Sequence, residues 1–556
     1  VQKWIRNLKP ARCLALVLLF GSGPGAMAAT GHPELDLGIA RFALATGDDA
    51  AALWYTNNPE TEHESLIRAR ALLNTGRQNQ AVALLDRLID GDYYRGEAAL
   101  LKSTLMVKST LTDGDQNQSG RTRLLELASQ KGHGDIRQQA FFHLAEMART
   151  NEQPERAGQI LASMDPGYWA ALGYMNIAAD YAKHDLNPSR ALISLRVAMA
   201  MAEEDPDRAR GEALKAQLLV RAGLLAYENE DYDKAISFLE KVALESYSTP
   251  QGLYLHGLAL SAKGKHRDAM QSWHRARKYP LAFPGVAESW LGTGRGYDMA
   301  GYLGQAGEAY LSASASYDSE RVTLRKLADL IREKGAFEAL VTGAGETQAE
   351  WFLADSRMLT QPRSAYLLRF MENAGSQEAV RRVRDLDNML DRMAQQERTL
   401  TVFRGVLKER LADRASQAAG ISEAFAANFD ALVRRISSAR ESAIPGSDSA
   451  TELRQLALTL ADVRDSAGRF GARVDNRDQT LGGLSAKVGS ALTSLERNRQ
   501  RASQALIQAN AELDQRVLTY VDSEAERMTV ALEKAEQQIA HLYEYLALQN
   551  LDRSAP

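Results

Sequence analysis

The chain has 556 residues, more than one compact core usually uses, so a repeat array or several units is expected. Charged residues make up 25% and hydrophobic ones 45%, the balance of a folded protein rather than a disordered one. The net charge of −4 supplies no global basic field for nucleic acid, and only 14 prolines in this length favour long helices over a β-sandwich.

The first 28 residues have the layout of a secretory signal peptide. Lys3, Arg6, Lys9 and Arg12 form a basic start, the apolar run Cys13–Phe20 follows, and Ala26-Met27-Ala28 offers a small-x-small cleavage triplet. The apolar run is too short for a bilayer span. An uncleaved anchor is the alternative. Reading Val1 as a GTG start points to a bacterium. Cleavage after Ala28 removes four basic residues and no acidic one, taking the charge from −4 to −8, and it removes the single cysteine, Cys13. A cysteine-free exported chain suits an oxidising compartment, so the periplasm is the expected location.

Beyond residue 28 the periodicity is helical. Ile39, Phe42 and Ala43, the turn Gly47-Asp48, and Ala50–Trp54 outline a first degenerate hairpin; Leu66, Ala69, Leu72, Gly76, Ala81 and Leu85 outline a second. The polar run Thr112–Gly120 reads as a connecting loop. It has Asp113, Asp115 and Asn117 at calcium-loop spacing, but Gln118 stands at the sixth position and Leu124 at the twelfth, where the turn glycine and the bidentate Glu are needed. Ala157 and Ala191, 34 residues apart, anchor two more hairpins, and about ten extra residues before Ala235 are assigned to the acidic turn Glu203–Asp207. Six or seven hairpins are expected between Leu35 and Asp318.

The pattern is clearest from Gln217 to Ala313. Gly223, Gly257 and Gly294 recur after 34 and 37 residues, and so do Ala235, Ala269 and Ala306. In the third copy Trp290, Gly294, Tyr297, Gly301, Ala306, Tyr310 and Ala313 follow the order W-x2-L-G-x2-Y … A-x3-F, with Thr293 where Leu is usual. This stretch resembles the tetratricopeptide repeat (TPR) family, over roughly half the chain. The resemblance implies an all-α solenoid of helical hairpins with a concave groove that binds protein segments. Residues lining the groove follow from the motif: Gln217, Val220, Leu224 and Tyr227; then Gln251, Tyr254, Leu258 and Ser261; then Glu288, Leu291, Arg295 and Asp298. Such repeats serve many clients, so the partner is not named by them.

Residues 321–375 are off-repeat and read as a helical cap or adaptor, with an amphipathic stripe Leu324–Ile331, a break at Gly343-Ala344-Gly345, and short helices over Ala349–Met358 and Ser364–Met371. Residues 376–548 read as an antiparallel coiled-coil hairpin or a helical bundle, turning at Pro445-Gly446, with a capping box at Ser449 and Glu452. The expected seam runs Leu453, Leu456, Leu460, Val463, Ala467, Phe470, Val474, Leu481, Leu484, Val488, Ala491 and Leu495, shifts phase near Leu506, and resumes over Val521, Ala525, Met528, Leu532, Ala535, Ile539, Leu542 and Leu546. Gly482-Gly483 leaves open whether this is one helix or a folded bundle. Residues 549–556 read as a flexible tail.

No catalytic constellation emerges. His63-Glu64 lacks a second His at zinc-protease spacing, Gly292–Gly296 lacks the last glycine of a dinucleotide loop, Gly264-Lys265 is not a P-loop, and there is no nucleophile elbow. The chain is therefore expected to be non-enzymatic, with no cofactor or metal. It reads as an envelope scaffold that binds protein partners through the groove, with an arm for reach or oligomerisation. An accessory subunit of a secretion or exopolysaccharide-export machine is the alternative, and a helical enzyme acting on envelope polymers a third reading.

Overall fold

A computed structural model describes residues 33–109, 114–185, 187–341, 362–442 and 448–554. The signal-peptide reading, Thr112-Asp113, the Gly343–Met358 stretch and the Pro445-Gly446 turn lie outside these residues. Among the described residues there is no strand, and the architecture is all-α: a TPR-like solenoid of helical hairpins followed by two long helices.

Eight hairpins follow in order among the described residues: α1 (Pro33–Ala45) with α2 (Asp49–Tyr55), α3 (Glu62–Asn74) with α4 (Gln78–Ile89), α5 (Arg95–Ser109) with α6 (Gly114–Lys131), α7 (Gly134–Thr150) with α8 (Pro154–Ala162), α9 (Tyr168–His184) with α10 (Ser189–Glu203), α11 (Arg208–Glu228) with α12 (Tyr232–Leu239), α13 (Thr249–Ala262) with α14 (His266–Ala276), and α15 (Val286–Met299) with α16 (Leu303–Lys334). One more hairpin is present than the upper sequence count. The polar run read as a loop belongs largely to α6: Asp115, Asn117, Ser119 and Gly120 are helical, and Gly120 lies against Met106 of α5. A polar helix start cannot be told from a loop by composition. The insertion before Ala235 is not confined to the acidic turn either. α11 has 21 residues where α13 and α15 have 14, so most of it is added helix.

The turns inside six of the eight hairpins share one device. The backbone N–H of Asp48, Arg77, Gln153, Asp231, Lys265 and Tyr302 each reaches back five residues to a carbonyl, closing the preceding helix in a Schellman-type turn. The preceding residue is left-handed in each: Gly47, Gly76, Glu152, Glu230, Gly264 and Gly301. Inside the hairpins small residues hold the closest approach. Ala81, Ala157, Ala191, Ala235, Ala269 and Ala306 are completely buried. Gly223, Gly257 and Gly294 face Leu239, Trp273 and Tyr310 of the partner helix, where an added Cβ has no room. The large side chain and the glycine are therefore one repeating lock, and Trp273 also packs on Gly292 of the following hairpin, joining neighbours.

α16 runs on for 32 residues as one helix through position 320, burying Leu324, Leu327, Ala328 and Ile331, and is followed by a short π-helical turn, Phe337–Val341. After α17 (Pro362–Phe370) come α18 (Ala374–Ser442) and α19 (Asp448–Ser554). α19 is continuous for 107 residues. Gly482-Gly483 does not interrupt it: a glycine inside a helix costs only about 1 kcal/mol, which neighbouring turns sustain.

Contacts divide the chain into two units. One, residues 381–509, pairs α18 with α19 in antiparallel sense: Arg414 meets Asp478 at 3.1 Å, and further along Glu397 meets Arg499 at 3.7 Å. Half of the expected seam is corrected here. Leu453, Leu460, Ala467, Val474, Leu481, Val488 and Leu495 turn inward with Ala457, Gly471, Asp478, Ser485 and Leu492, whereas Leu456, Val463, Phe470, Leu484 and Ala491 are exposed. Both lines recur every seven residues, so period alone could not choose between steps of three and four. The other unit comprises the solenoid and the end of α19, from Asn510 onward.

Candidate interaction groove

The first helices of the three best repeats, α11, α13 and α15, place their inward faces side by side. A cavity of about 400 Å³ opens there, lined by Gln217, Val220, Arg221 and Leu224 of α11, Pro250 and Gln251 of α13, and Phe283-Pro284 from the linker before α15. A second of about 400 Å³ adjoins it, lined by Leu224, Gln251, Tyr254, Leu255 and Glu288. The walls are apolar with a few amides and charges at defined points, the composition of a surface that takes a protein segment.

Local sequence explains this shape. Pro280 and Pro284 bracket the tight linker Leu281–Gly285, and Gly285 takes φ +81° directly against the Tyr254 side chain. A side chain at 285 is excluded twice, by the left-handed backbone and by the ring. Tyr254 is fixed in turn: its carbonyl accepts the indole N–H of Trp273 at 3.2 Å, and its phenol is pushed up to about 12 by burial and the nearby Glu288, so it is a neutral donor at physiological pH.

Four of the eight principal groove residues come together at these cavities: Gln217, Gln251, Tyr254 and Glu288. The other four do not line them. Tyr227 is half-buried beside Tyr232, ring centroids 5.7 Å apart. Ser261 is 3.4 Å from His266 Nδ1 near the hairpin turn. Arg295 and Asp298 are exposed on the last turns of α15. Of the apolar positions, Leu258 packs against Trp273, and Leu291 packs against Tyr310.

The motif could not supply the rest of the lining. Arg369 and Glu372, at and just after the end of α17, close one side: Arg369 pairs with Glu372, which also accepts the Tyr247 hydroxyl. Burial and the Glu372 carboxylate hold the Tyr247 phenol far above its ordinary range. Glu524 and Arg527 of α19 close the second cavity. They pair at 2.7 Å, and Arg527 donates to the Leu281 carbonyl at 2.6 Å. These groups are distant in sequence from the repeats. One signal existed for Arg221: it lies one helical turn from Gln217, on the same face.

The end of α19 continues across the solenoid. Asp514 accepts the Ala336 backbone N–H at 2.6 Å; Tyr520 packs on Phe370 and Tyr366; Ile539, Leu542 and Leu546 pack against Tyr310, Leu291, Tyr297 and Leu303. Under Tyr366, Glu320 accepts its hydroxyl at 2.7 Å. Burial raises the Glu320 carboxyl; the Tyr366 bond and Arg527 oppose that, and Glu524 adds to it.

Comparisons with known proteins come out remote. No family model matches the chain, and no curated protein matches it. Among solved structures, the apo form of RapI is 13% identical, covering 61% of this chain and 97% of its own, at a TM-score of 0.31. The APC/C hetero-tetramer Cut9–Hcn1 is 13% identical, covering 86% and 97%, at 0.21. The P58(IPK) TPR domain is 14% identical, covering 51% and 92%, at 0.17. Likeness at these scores carries no argument; the repeat architecture rests on the glycine locks and the hairpin turns themselves. Among the described residues, no helix is long and apolar enough to cross a membrane, and no cluster of His, Cys, Asp and Glu is placed to hold a metal.

Proposed function

We propose that the chain is a non-enzymatic scaffold that binds a protein segment in the groove of α11, α13 and α15. The observation that carries this is the convergence of Gln217, Gln251, Tyr254 and Glu288 on adjoining open cavities floored by Val220, Leu224 and Leu255. Amides there satisfy a peptide backbone, and the apolar floor accepts its side chains. The test is copurification with the full chain, wild type against Gln217→Ala/Gln251→Ala/Tyr254→Ala. A partner held by the wild type and lost by the variant, with helical circular dichroism unchanged, is expected. Full retention of every partner refutes the groove.

The long helical pair serves, in this reading, as an arm for self-association. The basis is the exposed line Leu456, Val463, Phe470 and Leu484, which recurs mostly at seven residues with no partner helix against it among the described residues. The basic, apolar and small-residue segments of residues 1–28 support export to a bacterial periplasm. A reporter fused after Ala29 that is active only outside the cytoplasm is expected; activity confined to the cytoplasm refutes export.

A further inference from the structure

We propose that the concave face of the last repeats is a docking site for an amphipathic helix, and that the chain's own segment 510–546 holds this site in cis against a partner helix of the same chemistry. The proposal rests on the scaffold reading above and identifies the ligand class that the scaffold takes.

The segment lies along the solenoid by one side of its helix, with Leu542 sharing a buried cluster with Ala306 and Tyr310. Its contact face is one stripe: Val521, Met528, Ala535 and Leu542 are buried at seven-residue steps, flanked by buried Ala531 and half-buried Ala525, Leu532 and Ile539, while Asp522, Glu526, Glu533 and Gln537 are exposed. A helix with this stripe fits a groove through its apolar side alone. Its charged anchors reach backbone groups, Asp514 to the Ala336 N–H and Arg527 to the Leu281 carbonyl.

The joint is also incompletely closed. A cavity of about 790 Å³ lies between α17 and the segment, and another separates Glu524 and Arg527 from α13. The hydroxyls of Tyr310 and Tyr520 and the Arg369 Nε are buried without a protein partner. A buried polar group without a partner destabilises the joint that contains it. The hairpin core differs: Trp273 donates to the Tyr254 carbonyl at 3.2 Å and Tyr317 donates to the Ala287 carbonyl at 2.6 Å, so both buried polar groups are satisfied within the repeats. The segment completes the buried cluster at Ala306 and Tyr310 through Leu542, yet it leaves unmet hydrogen bonds that a competing helix can satisfy.

The heptad phase marks the same boundary. Up to Ala509 the buried line follows the α18 partner; Ala509, Leu513, Val517 and Val521 then recur at steps of four, a stutter that rotates the stripe. The rotation begins where the segment leaves one unit for the other.

The test uses the full chain and a fluorescent synthetic peptide of residues 510–548 as the probe, read by anisotropy. Wild type should bind it weakly, because the tethered copy competes at millimolar-scale effective concentration. Full-length Met528→Asp/Leu542→Asp, with its own segment dislodged, should bind the wild-type peptide at least tenfold more tightly, and a peptide carrying Leu542→Asp should not bind either chain. Equal binding to both chains, or none to a dislodged variant that keeps wild-type circular dichroism, overturns the proposal. As a second arm, Gly307→Cys/Leu542→Cys in a Cys13→Ser background, joined by a short bismaleimide, should exclude the peptide, since Gly307 faces Leu542; undiminished binding to the joined chain also overturns it. Loss of every partner in copurification with peptide exchange intact counts against the scaffold reading and leaves the helix site standing.

Discussion

At the level of single residues, the glycine locks hold the solenoid. Gly257 lies against the Trp273 indole, and Trp273 is 2% exposed. Gly257→Ala forces the ring or the helix pair apart, at about 1–3 kcal/mol for overpacking, and Trp273→Ala leaves a cavity at about 3–5 kcal/mol. Urea unfolding should show both, with Trp273→Ala the larger; a neutral Gly257→Ala contradicts the lock. Glu230 works in the opposite direction. It occupies, at φ 61°, the left-handed turn position that Gly264 and Gly301 hold in the next repeats. The left-handed conformation costs an L-residue about 1–2 kcal/mol, partly offset by the unfolded-state entropy of glycine. Glu230→Gly should therefore raise the unfolding midpoint slightly, by no more than about 1 kcal/mol.

Between elements, the joint of α16, α17 and the end of α19 contains a half-buried acid, Glu320. The Glu320 carboxyl is raised above its ordinary 4.5 by burial, with the Tyr366 hydroxyl and Arg527 opposing and Glu524 reinforcing the rise. The folded chain therefore binds this proton more tightly than the unfolded one. Its stabilising contribution is complete below pH 4.5 and is lost as pH rises through the folded value. Hydrogen exchange over residues 510–546 should slow as pH is lowered toward 4.5, after correction for intrinsic rates. Glu320→Gln should flatten the part of that dependence that Glu320 supplies. An identical profile in the variant removes Glu320 from the joint. In the antiparallel pair, the exposed Phe470 line makes a separate prediction: sedimentation velocity should show a concentration-dependent dimer for wild type that Phe470→Glu weakens at least tenfold. A monomer at all concentrations excludes self-association through that face.

For the molecule as a whole, the repeat architecture was legible because each lock writes itself into the sequence: glycine, a small residue and a large apolar or aromatic side chain at spacings near 34. Part of the lining of the two cavities was legible for the same reason. Gln217, Gln251, Tyr254 and Glu288 sit where repeat geometry puts them. Arg369, Glu372, Glu524 and Arg527 were not legible there, because they reach the groove through tertiary contacts of segments outside the repeats. The α5–α6 hairpin was obscured by its polar helix start. The seam of α19 was half legible, since Leu456 and Leu460 both recur at seven and only packing against α18 selects between them. The phase shift near Leu506 was visible in the sequence, and it marks where the buried stripe changes partner. The central claim is that the groove beside Tyr254 receives another polypeptide. Its most direct measurement is photo-crosslinking of the full chain in cells, with p-benzoylphenylalanine replacing Tyr254 and, as a control, the exposed Asp298. The expected result is a discrete intermolecular adduct from position 254 that grows when Leu542→Asp dislodges the tail and is absent from position 298. Adducts from 254 confined to the chain's own residues, unchanged by Leu542→Asp, would contradict it.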